Sequence, residues 1–293
     1  MSNAPRRLPH VSSSQLRWLR GALNVLQAFS SRLAARLAFR LFLMPNRRRL
    51  DPADAAALQQ ARVHRLSEAD GAAIHVYEWG EGPRTAVILH GWGSHAPRFA
   101  PLAKALVAAG WRVLAPDAPG HGQSPGGTSS LPQFIAALDA VVTRFGAVDA
   151  LIGHSLGALA IALRLSDPAA DPACRPRKAV LISMPSGAPF LIESFNQMFG
   201  IRPATRERMA ALFRQRFGAD PSRFALDPGT ARFGVPVLLV HDRRDDIVPH
   251  ADTFRLQQQL PDALLHTTEG LGHSGLLRDP ETIRRIERFL GSN

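Results

Sequence analysis

The residues best suited to chemistry begin with a serine at the end of an apolar run. Ser155 lies in the pentapeptide 153–157, GHSLG, which follows the apolar run 150–152 and opens a helical pattern. A serine on a sharp strand-to-helix turn exposes its hydroxyl and can attack a carbonyl carbon. Glycine suits positions 153 and 157, because a Cβ beside such a turn would collide with neighbouring backbone. We predict Ser155 as a nucleophile flanked by Gly153 and Gly157, against the alternative of an ordinary glycine-rich turn.

A serine nucleophile needs a histidine as general base, and the sequence offers eleven. His273 follows the last predicted strand and precedes the last predicted helix, where a loop can carry it to the serine. His154 is adjacent to Ser155, but the geometry of the turn points it away. We therefore predict His273 as the base. The other histidines are interpreted as structural, peripheral or unplaced: His90 and His241 at the ends of apolar runs, His121 in a glycine loop, and His10 and His64.

An aspartate must accept a hydrogen bond from that histidine and fix its tautomer. The apolar run 235–241 leads into three carboxylates, Asp242, Asp245 and Asp246, beside two arginines. Two of the three are expected to be solvated and paired with those arginines. Position relative to the following Val-Pro pair favours Asp245, while Asp242 and Asp246 stay open as alternatives.

Acyl transfer also needs two backbone N–H groups directed at the oxygen that becomes negative. Leu156 follows the predicted nucleophile and can supply one of them. Trp92 lies between two glycines in the segment 90–93, HGWG, directly after another apolar run. Because the glycines let the chain turn there, we predict Trp92 and Leu156 as the oxyanion hole.

Short apolar runs alternate with helical patterns from residue 62 onward, which predicts one α/β domain over 51–293. Several of the runs are continuously apolar, as expected for parallel strands covered on both faces. The sequence therefore predicts a doubly wound, mostly parallel sheet, preceded by a hairpin around residues 69–71. The predicted strands of the sheet are 86–90, 113–117, 150–153, 179–183, 235–241 and 264–267, and the helices between and after them are 98–109, 131–145, 156–165, 251–260 and 281–290.

About fifty residues separate the strand ending near 183 from the strand starting at 235. A structureless loop of that length is improbable in a compact domain. Helical patterns at 190–199 and 205–217 predict a small helical cap inserted at about 186–234.

Five motifs in order and spacing resemble the α/β-hydrolase superfamily, over about residues 62–290. They are HGWG at 90–93, DAPGHGQS at 117–124, GHSLG at 153–157, DDIVP at 245–249 and GH at 272–273. The resemblance implies the superfamily's fold, with Ser155, Asp245 and His273 in the chain order of its catalytic triad. One departure is Asp242, where members of the superfamily often carry glycine.

The resemblance implies acyl transfer through a covalent acyl-enzyme, with neither metal nor organic cofactor. A serine at position 155 argues against dehalogenases and epoxide hydrolases of this fold, which use aspartate as nucleophile. Some of the phenylalanines and methionines of the predicted cap are expected simply to pack it onto the sheet. The remainder favour a small substrate with an apolar acyl or alcohol group, and an ester is the first expectation. Thioesters, lactones and amides are the alternatives, since the fold alone is a poor guide to substrate.

Nearly all of the excess positive charge lies in residues 1–50. They hold ten arginines and no acidic residue, out of a net charge of +11 for the 293-residue chain. Residues 51–293 then carry 25 basic and 24 acidic residues, a balance that gives no support to nucleic-acid binding. Five of the arginines interrupt the apolar pattern 16–44, which therefore predicts neither a transmembrane helix nor a cleaved signal.

Leucines at steps of three, four and seven predict one amphipathic helix over 16–44, with all the leucines on one face. Three interpretations of this helix are open. It lies on an anionic membrane surface, it packs on the hydrolase domain or a second subunit, or it belongs to an organellar transit peptide.

Two further functions compete with an enzyme: a catalytically silent binding protein of this fold, and a membrane-peripheral interaction protein. The presence of all the triad residues and of both glycines disfavours the first.

The single cysteine, Cys174, cannot form an intramolecular disulfide, which fits a reducing compartment. We therefore expect the protein in the cytoplasm, or peripheral on the inner face of a membrane.

Overall fold

Eight strands form one sheet in the order β1-β2-β4-β3-β5-β6-β7-β8. The computed structural model describes residues 13–67, 73–170, 175–227, 232–260 and 262–292. The strands are β1 (Arg62–Ser67), β2 (Ala73–Trp79), β3 (Arg84–Leu89), β4 (Trp111–Asp117), β5 (Ala150–His154), β6 (Lys178–Ile182), β7 (Val237–Asp242) and β8 (Leu264–Thr268). β2 pairs antiparallel with β1 and β4, and all other neighbours are parallel.

Eleven α-helices accompany the sheet within the described residues. They are α1 (Ser13–Phe29), α2 (Ser31–Phe42), α3 (Pro52–Gln59), α4 (Ala100–Ala108), α5 (Leu131–Phe145), α6 (Leu156–Ser166), α7 (Ala188–Phe199), α8 (Pro203–Phe217), α9 (His250–Gln259), α10 (Gly272–Gly275) and α11 (Pro280–Gly291). Helices α5, α6 and α9 cover one face of the sheet, and α4 and α11 cover the other.

The central strands β3, β5, β6 and β7 are buried along almost their whole length. Both of their faces are covered by helices, which explains why they read as continuous apolar runs rather than as alternating ones. The predicted doubly wound, mostly parallel sheet is confirmed. The antiparallel pairing of β1 and β2 agrees with the predicted hairpin, whose turn at 69–71 lies outside the described residues. Cys174 also lies outside the described residues.

Helices α7 and α8 occupy the interval between β6 and β7, where the sequence predicts a cap. Their inner sides meet α1 and α2 in a separate apolar cluster that includes Leu23, Phe195 and Met198. Gln27 strengthens this contact: its amide donates to the carbonyl of Gly200 at 3.3 Å and accepts from the N–H of Arg202 at 2.7 Å. The N-terminal helices therefore form one helical layer with α7 and α8.

The prediction of a single helix over 16–44 is wrong. The helix is interrupted at Ser30, whose backbone is extended. The hydroxyl of Ser30 accepts a hydrogen bond from the N–H of Leu33 at 3.3 Å, so α2 begins with its own N-cap. The leucines that the sequence places on one face also differ in their surroundings. Leu23 is buried in α1, but in α2 the buried residues are the alanines Ala34, Ala35 and Ala38, which face α8.

Alanine suits this position because small side chains let two helices approach closely. The larger Leu33 and Leu37 are left on the outer side of α2, 52% and 38% exposed. No helix among the described residues is both long enough and apolar enough to cross a bilayer.

The segment after α2 ties this helical layer to the loops above the sheet. The N–H of Ser129 donates to the carbonyl of Leu43 at 2.8 Å, and the N–H of Arg48 donates to that of Gly93 at 3.0 Å. The guanidinium of Arg47 donates to the carbonyls of Gly120 at 2.7 Å and Ser124 at 3.1 Å, and to that of Gly126. Residues 43–48 thus form a strap, which fastens α1 and α2 over the edge of the site.

The alanine face of α2 generates a test of the helical layer. We expect Ala38→Leu to lower the free energy of unfolding by about 1–3 kcal/mol, because the extra methylenes have no space against α8. Leu33→Ala, on the exposed side of the same helix, should change it by no more than about 0.5 kcal/mol. Urea unfolding of both variants measures the difference. A larger loss for Leu33→Ala would mean that the leucine face is the packed one.

Candidate active site

The predicted nucleophile lies on a turn that few residues can adopt. Ser155 separates β5 from α6 with a φ of 53° and a ψ of −120°, and only it and Ser183 have positive φ among described residues other than glycine. A Cβ on Gly153 would lie 2.5 Å from Ala158 Cα, and one on Gly157 would lie 2.3 Å from the carbonyl oxygen of Leu89. Both approaches are to backbone that cannot move aside, which gives the GHSLG pattern its physical reason.

The predicted base and the favoured aspartate lie in direct contact. Asp245 Oδ2 accepts a hydrogen bond of 2.8 Å from His273 Nδ1. The same carboxylate accepts from the N–H groups of Ile247 and Val248, both at 2.9 Å, through Oδ1. No described residue hydrogen-bonds His273 Nε2, the nitrogen that a general base needs for the substrate side.

A second histidine, His241, also contacts the carboxylate of Asp245. His241 Nε2 lies 3.2 Å from Asp245 Oδ2 and 3.1 Å from the carbonyl oxygen of Val248, while its Nδ1 meets the hydroxyl of Thr253 at 2.6 Å. Burial alone would raise the pKa of Asp245, but the hydrogen bonds from His241 and His273 outweigh it and hold that pKa far below its ordinary value. Asp245 therefore stays ionised and can stabilise a positive charge on His273.

The two alternative carboxylates have other surroundings. Asp242 accepts from the hydroxyl of Thr268 at 2.7 Å and from the N–H of Leu271 at 3.0 Å, so it organises the loop that leads from β8 to His273. Asp246 is exposed. Of the three candidates, the structure brings only Asp245 to the imidazole.

Sequence reasoning missed a role for His154, which was expected merely to point away from the site. It is buried under the site, and its Nε2 donates to the carbonyl oxygen of His273 at 2.8 Å. Burial and the neighbouring His273 hold the pKa of His154 well below its ordinary value, so the ring is neutral when it makes this bond. The residue before the predicted nucleophile thus anchors the backbone of the predicted base. The signal in the sequence was a histidine inside the GHSLG motif.

The predicted oxyanion donors sit on two turns that face the serine. Gly91 lies so close to the site that a Cβ there would be 2.9 Å from the Cβ of Ser155. The carbonyl of Gly91 accepts from His90 Nδ1 at 2.7 Å, and His90 Nε2 accepts from the N–H of Ala118 at 3.0 Å. Because carbonyl and N–H point in opposite directions across a trans peptide, this bond turns the N–H of Trp92 away from His90.

Leu156 is the first residue of α6, so its N–H has no partner within the helix. Neither this N–H nor that of Trp92 is hydrogen-bonded to any described residue. A helix N-terminus also carries a partial positive charge, which favours an anion there. The two groups are therefore free to bind a negative oxygen beside Ser155.

The motif at 117–124 makes hydrogen bonds that stabilise the turn after β3. Asp117 accepts from the N–H of Ala96 at 2.8 Å, from that of Gln123 at 2.9 Å and from the hydroxyl of Tyr77 at 3.1 Å. Burial raises the pKa of Asp117 to about 6. These bonds join the end of β4 to the turn after β3, consistent with a structural rather than a catalytic element.

A large cavity opens above Ser155, between the strap and the helical layer. Its volume is about 910 Å³, within the range of sites that bind small molecules. The walls are mainly apolar, and Ser155, Trp92 and His273 lie at its floor. The described residues contain no cluster of three or more His, Cys, Asp or Glu side chains that could hold a metal ion. The cavity is lined by six aromatic side chains of α7, α8 and the turn after α8: Phe190, Phe195, Phe199, Phe213, Phe217 and Phe224.

His121, a buried histidine whose ring packs against those of His90 and Trp92, gives a pH-dependent prediction. Burial lowers the pKa of His121 to about 4, whereas an unfolded histidine titrates near pH 6.5. Between these values only the unfolded chain binds the proton, so this residue makes the folded state more stable as pH rises from about 4 to 6.5.

Replacing His121 with Gln should remove that contribution, by as much as about 1 kcal/mol per pH unit across this window. Unfolding of parent and His121→Gln at several pH values isolates it, because Asp117, which acts in the opposite direction, is common to both. A parallel pH dependence in the two proteins, or an NMR titration of His121 near pH 6.5, would contradict the prediction.

Comparisons with known proteins agree with this architecture. The profile of the alpha/beta hydrolase family matches residues 86–286. A pimeloyl-(acyl-carrier protein) methyl ester esterase of Chromobacterium violaceum is 30% identical over an alignment of 255 residues, which covers 74% of this chain and 98% of that protein.

Two solved structures share the fold. An esterase of Pyrococcus furiosus superposes with a TM-score of 0.62 at 20% identity, over 85% of this chain and 98% of that one. A bacterial membrane phospholipase A superposes with a TM-score of 0.61 at 17% identity, over 94% of this chain and 97% of that one. By its family profile and its eight-stranded sheet, this chain belongs to the α/β-hydrolase family.

Proposed function

We propose that the protein is a serine hydrolase that cleaves a carboxylic ester with an apolar acyl group. The observation that carries the proposal is the strained Ser155 at the floor of the same cavity as His273, which is bonded to an ionised Asp245. The positive φ of Ser155 costs folding free energy, and such a conformation persists only where the surrounding structure stabilises it. In return, the turn presents the serine hydroxyl to the carbonyl carbon of a substrate.

The reaction divides into two acyl transfers. Ser155 Oγ attacks the ester carbonyl as His273 Nε2 takes its proton, and Asp245 stabilises the imidazolium by accepting from Nδ1. The N–H groups of Trp92 and Leu156 bind the negative oxygen. His273 then gives its proton to the leaving alkoxide, which departs as an alcohol. Water repeats the sequence on the acyl-enzyme and releases the acid.

An ester of an apolar acid suits the cavity better than a polar substrate does. The phenylalanines of α7 and α8 that line the cavity give the acyl group an apolar surface. The similarity to a methyl ester esterase supports an ester as the bond cleaved. We take thioesters, lactones and amides as substrates to be compared in the same assays.

The triad is tested by activity-based labelling and by kinetics. Parent protein should react with a fluorophosphonate probe, and Ser155→Ala should not. Asp245→Asn should lower kcat by about three to four orders of magnitude, because the imidazole loses its tautomer and its counter-charge. Asp246→Asn is the matched control and should leave kcat within about twofold.

Absence of labelling in folded parent protein would favour a catalytically silent binding protein of this fold. Equal losses for Asp245→Asn and Asp246→Asn would contradict the assignment of the aspartate. Loss of kcat in Asp245→Asn with unchanged folding, measured by circular dichroism, would support it.

The acyl pocket is tested by a series of p-nitrophenyl esters of increasing chain length. We expect kcat/KM to rise with chain length up to a medium or long acyl group, by up to about fourfold per methylene, the value of burying one CH₂. Leu191→Trp, which narrows the cavity, should move the optimum to shorter chains. Leu264→Trp, at an exposed site on β8, is the control and should not move it. An optimum at acetate in the parent would contradict an apolar acyl pocket.

A further inference from the structure

The outer side of the N-terminal helices carries an apolar surface that the proposed chemistry does not use. We call it the N-terminal face and define it by Trp18, Val25, Phe29, Leu33 and Leu37. These side chains are 72%, 60%, 84%, 52% and 38% exposed, and they make up half of the ten exposed large hydrophobic residues among those described. Scattered exposed residues need no explanation, but a concentration on two adjacent helices does.

Helical geometry places the members of this face together. Trp18, Val25 and Phe29 follow one another at steps of seven and four, so they lie along one side of α1. Leu23, which is fully buried against α7, lies on the opposite side. In α2, Leu33 and Leu37 are four residues apart and lie opposite the packed alanines. Both helices therefore have one apolar side against the cap and a second one towards solvent.

The charge on these two helices has a single sign. Arg17, Arg32, Arg36 and Arg40 are exposed on the same two helices. Residues 1–50 contain no acidic side chain at all. Apolar side chains flanked by arginines suit the boundary of an anionic bilayer, where the rings and chains enter the acyl region and the guanidinium groups remain at the phosphates.

A second copy of the chain suits the same face poorly. Symmetric pairing of two N-terminal faces would bring arginines from both copies together, and residues 1–50 offer no carboxylate to neutralise them. An anionic lipid surface supplies the missing negative charge.

The face is continuous with the entrance to the cavity. Trp18 belongs to both, because it is 72% exposed and also lines the cavity together with Ser14 and Leu19. A substrate that leaves the bilayer beside Trp18 would reach Ser155 without crossing bulk water.

We propose that the N-terminal face docks on an anionic membrane surface and presents the mouth of the cavity to the lipid. Docking itself is independent of catalysis; the delivery of a lipid-borne ester to Ser155 rests on the proposed function. The apolar contact supplies the depth of insertion, and the arginines supply selectivity for anionic headgroups.

Binding to vesicles tests the docking on full-length protein carrying Ser155→Ala, so that no hydrolysis alters the lipid. The vesicles are phosphatidylcholine, with or without phosphatidylglycerol, and co-sedimentation gives the partition coefficient. One test variant is Val25→Ser with Phe29→Ser, and the matched control is Phe254→Ser with Leu264→Ser, two exposed apolar residues on α9 and β8. The other is Arg32→Gln with Arg36→Gln, matched in charge by Arg284→Gln with Arg288→Gln on α11.

We expect partitioning onto phosphatidylglycerol vesicles that falls with added salt, and much weaker partitioning onto phosphatidylcholine alone. Each test variant should lose at least about tenfold, since each arginine at an anionic surface and each buried apolar side chain contributes a several-fold factor. The controls should change less than about twofold. The blue shift of tryptophan emission on binding should disappear in Trp18→Phe.

Equal partitioning of test and control variants, or none by the parent, would overturn the proposal. So would a parent that is oligomeric by light scattering and becomes monomeric in Val25→Ser with Phe29→Ser, because the face would then be a contact between copies. Hydrolysis of a soluble p-nitrophenyl ester by the same variants with Ser155 restored separates the two proposals. Vesicle binding without esterase activity in the parent would leave docking intact and refute the proposed function.

Discussion

The turn at Ser155 is the constraint on which the rest of the site depends. It requires a non-glycine residue at positive φ, a close approach of Gly153 to α6, and a close approach of Gly157 to the end of β3. All of these depend on β5 lying in the middle of the sheet between β3 and β6, where the backbone on both sides is held by parallel pairing. The serine is thus positioned by the core of the domain, while Asp245 and His273 lie on the segments that follow β7 and β8.

Hydrogen bonds between buried groups bring those loops to the serine. Neutral His154 holds the backbone of His273, neutral His90 orients the peptide between Gly91 and Trp92, and Asp242 shapes the loop after β8. Burial keeps the two histidines uncharged, whereas two imidazoles keep Asp245 ionised. The same low-polarity environment therefore removes charge where a structural donor is needed and retains it where a catalytic counter-charge is proposed.

The N-terminal helices link this site to the surface of the molecule. Their inner sides complete the helical layer over the cavity, and the strap after them bonds to the loops at Gly93 and Gly120. Their outer sides keep apolar and basic residues in solvent. A segment that only closed the cavity would not need that outer face. The proposed docking on a membrane gives the outer sides of these helices a role of their own, separate from the packing of the inner sides on α7 and α8.

The sequence by itself determined the family, the sheet and the residues proposed for catalysis. Continuous apolar runs predicted the buried strands, and the GHSLG, HGWG and GH motifs are short patterns that can be recognised without knowing the fold. The contacts that require glycine at positions 91 and 157 are nevertheless made with residues distant in sequence.

Tertiary structure alone decided what depends on contacts distant in sequence. It brought Asp245 rather than Asp242 or Asp246 to His273, gave His154 a partner 119 residues away, and divided the predicted 16–44 helix at Ser30. It also turned the alanines of α2 inward, where the helix packs closely against α8, a contact that no pattern within α2 reveals.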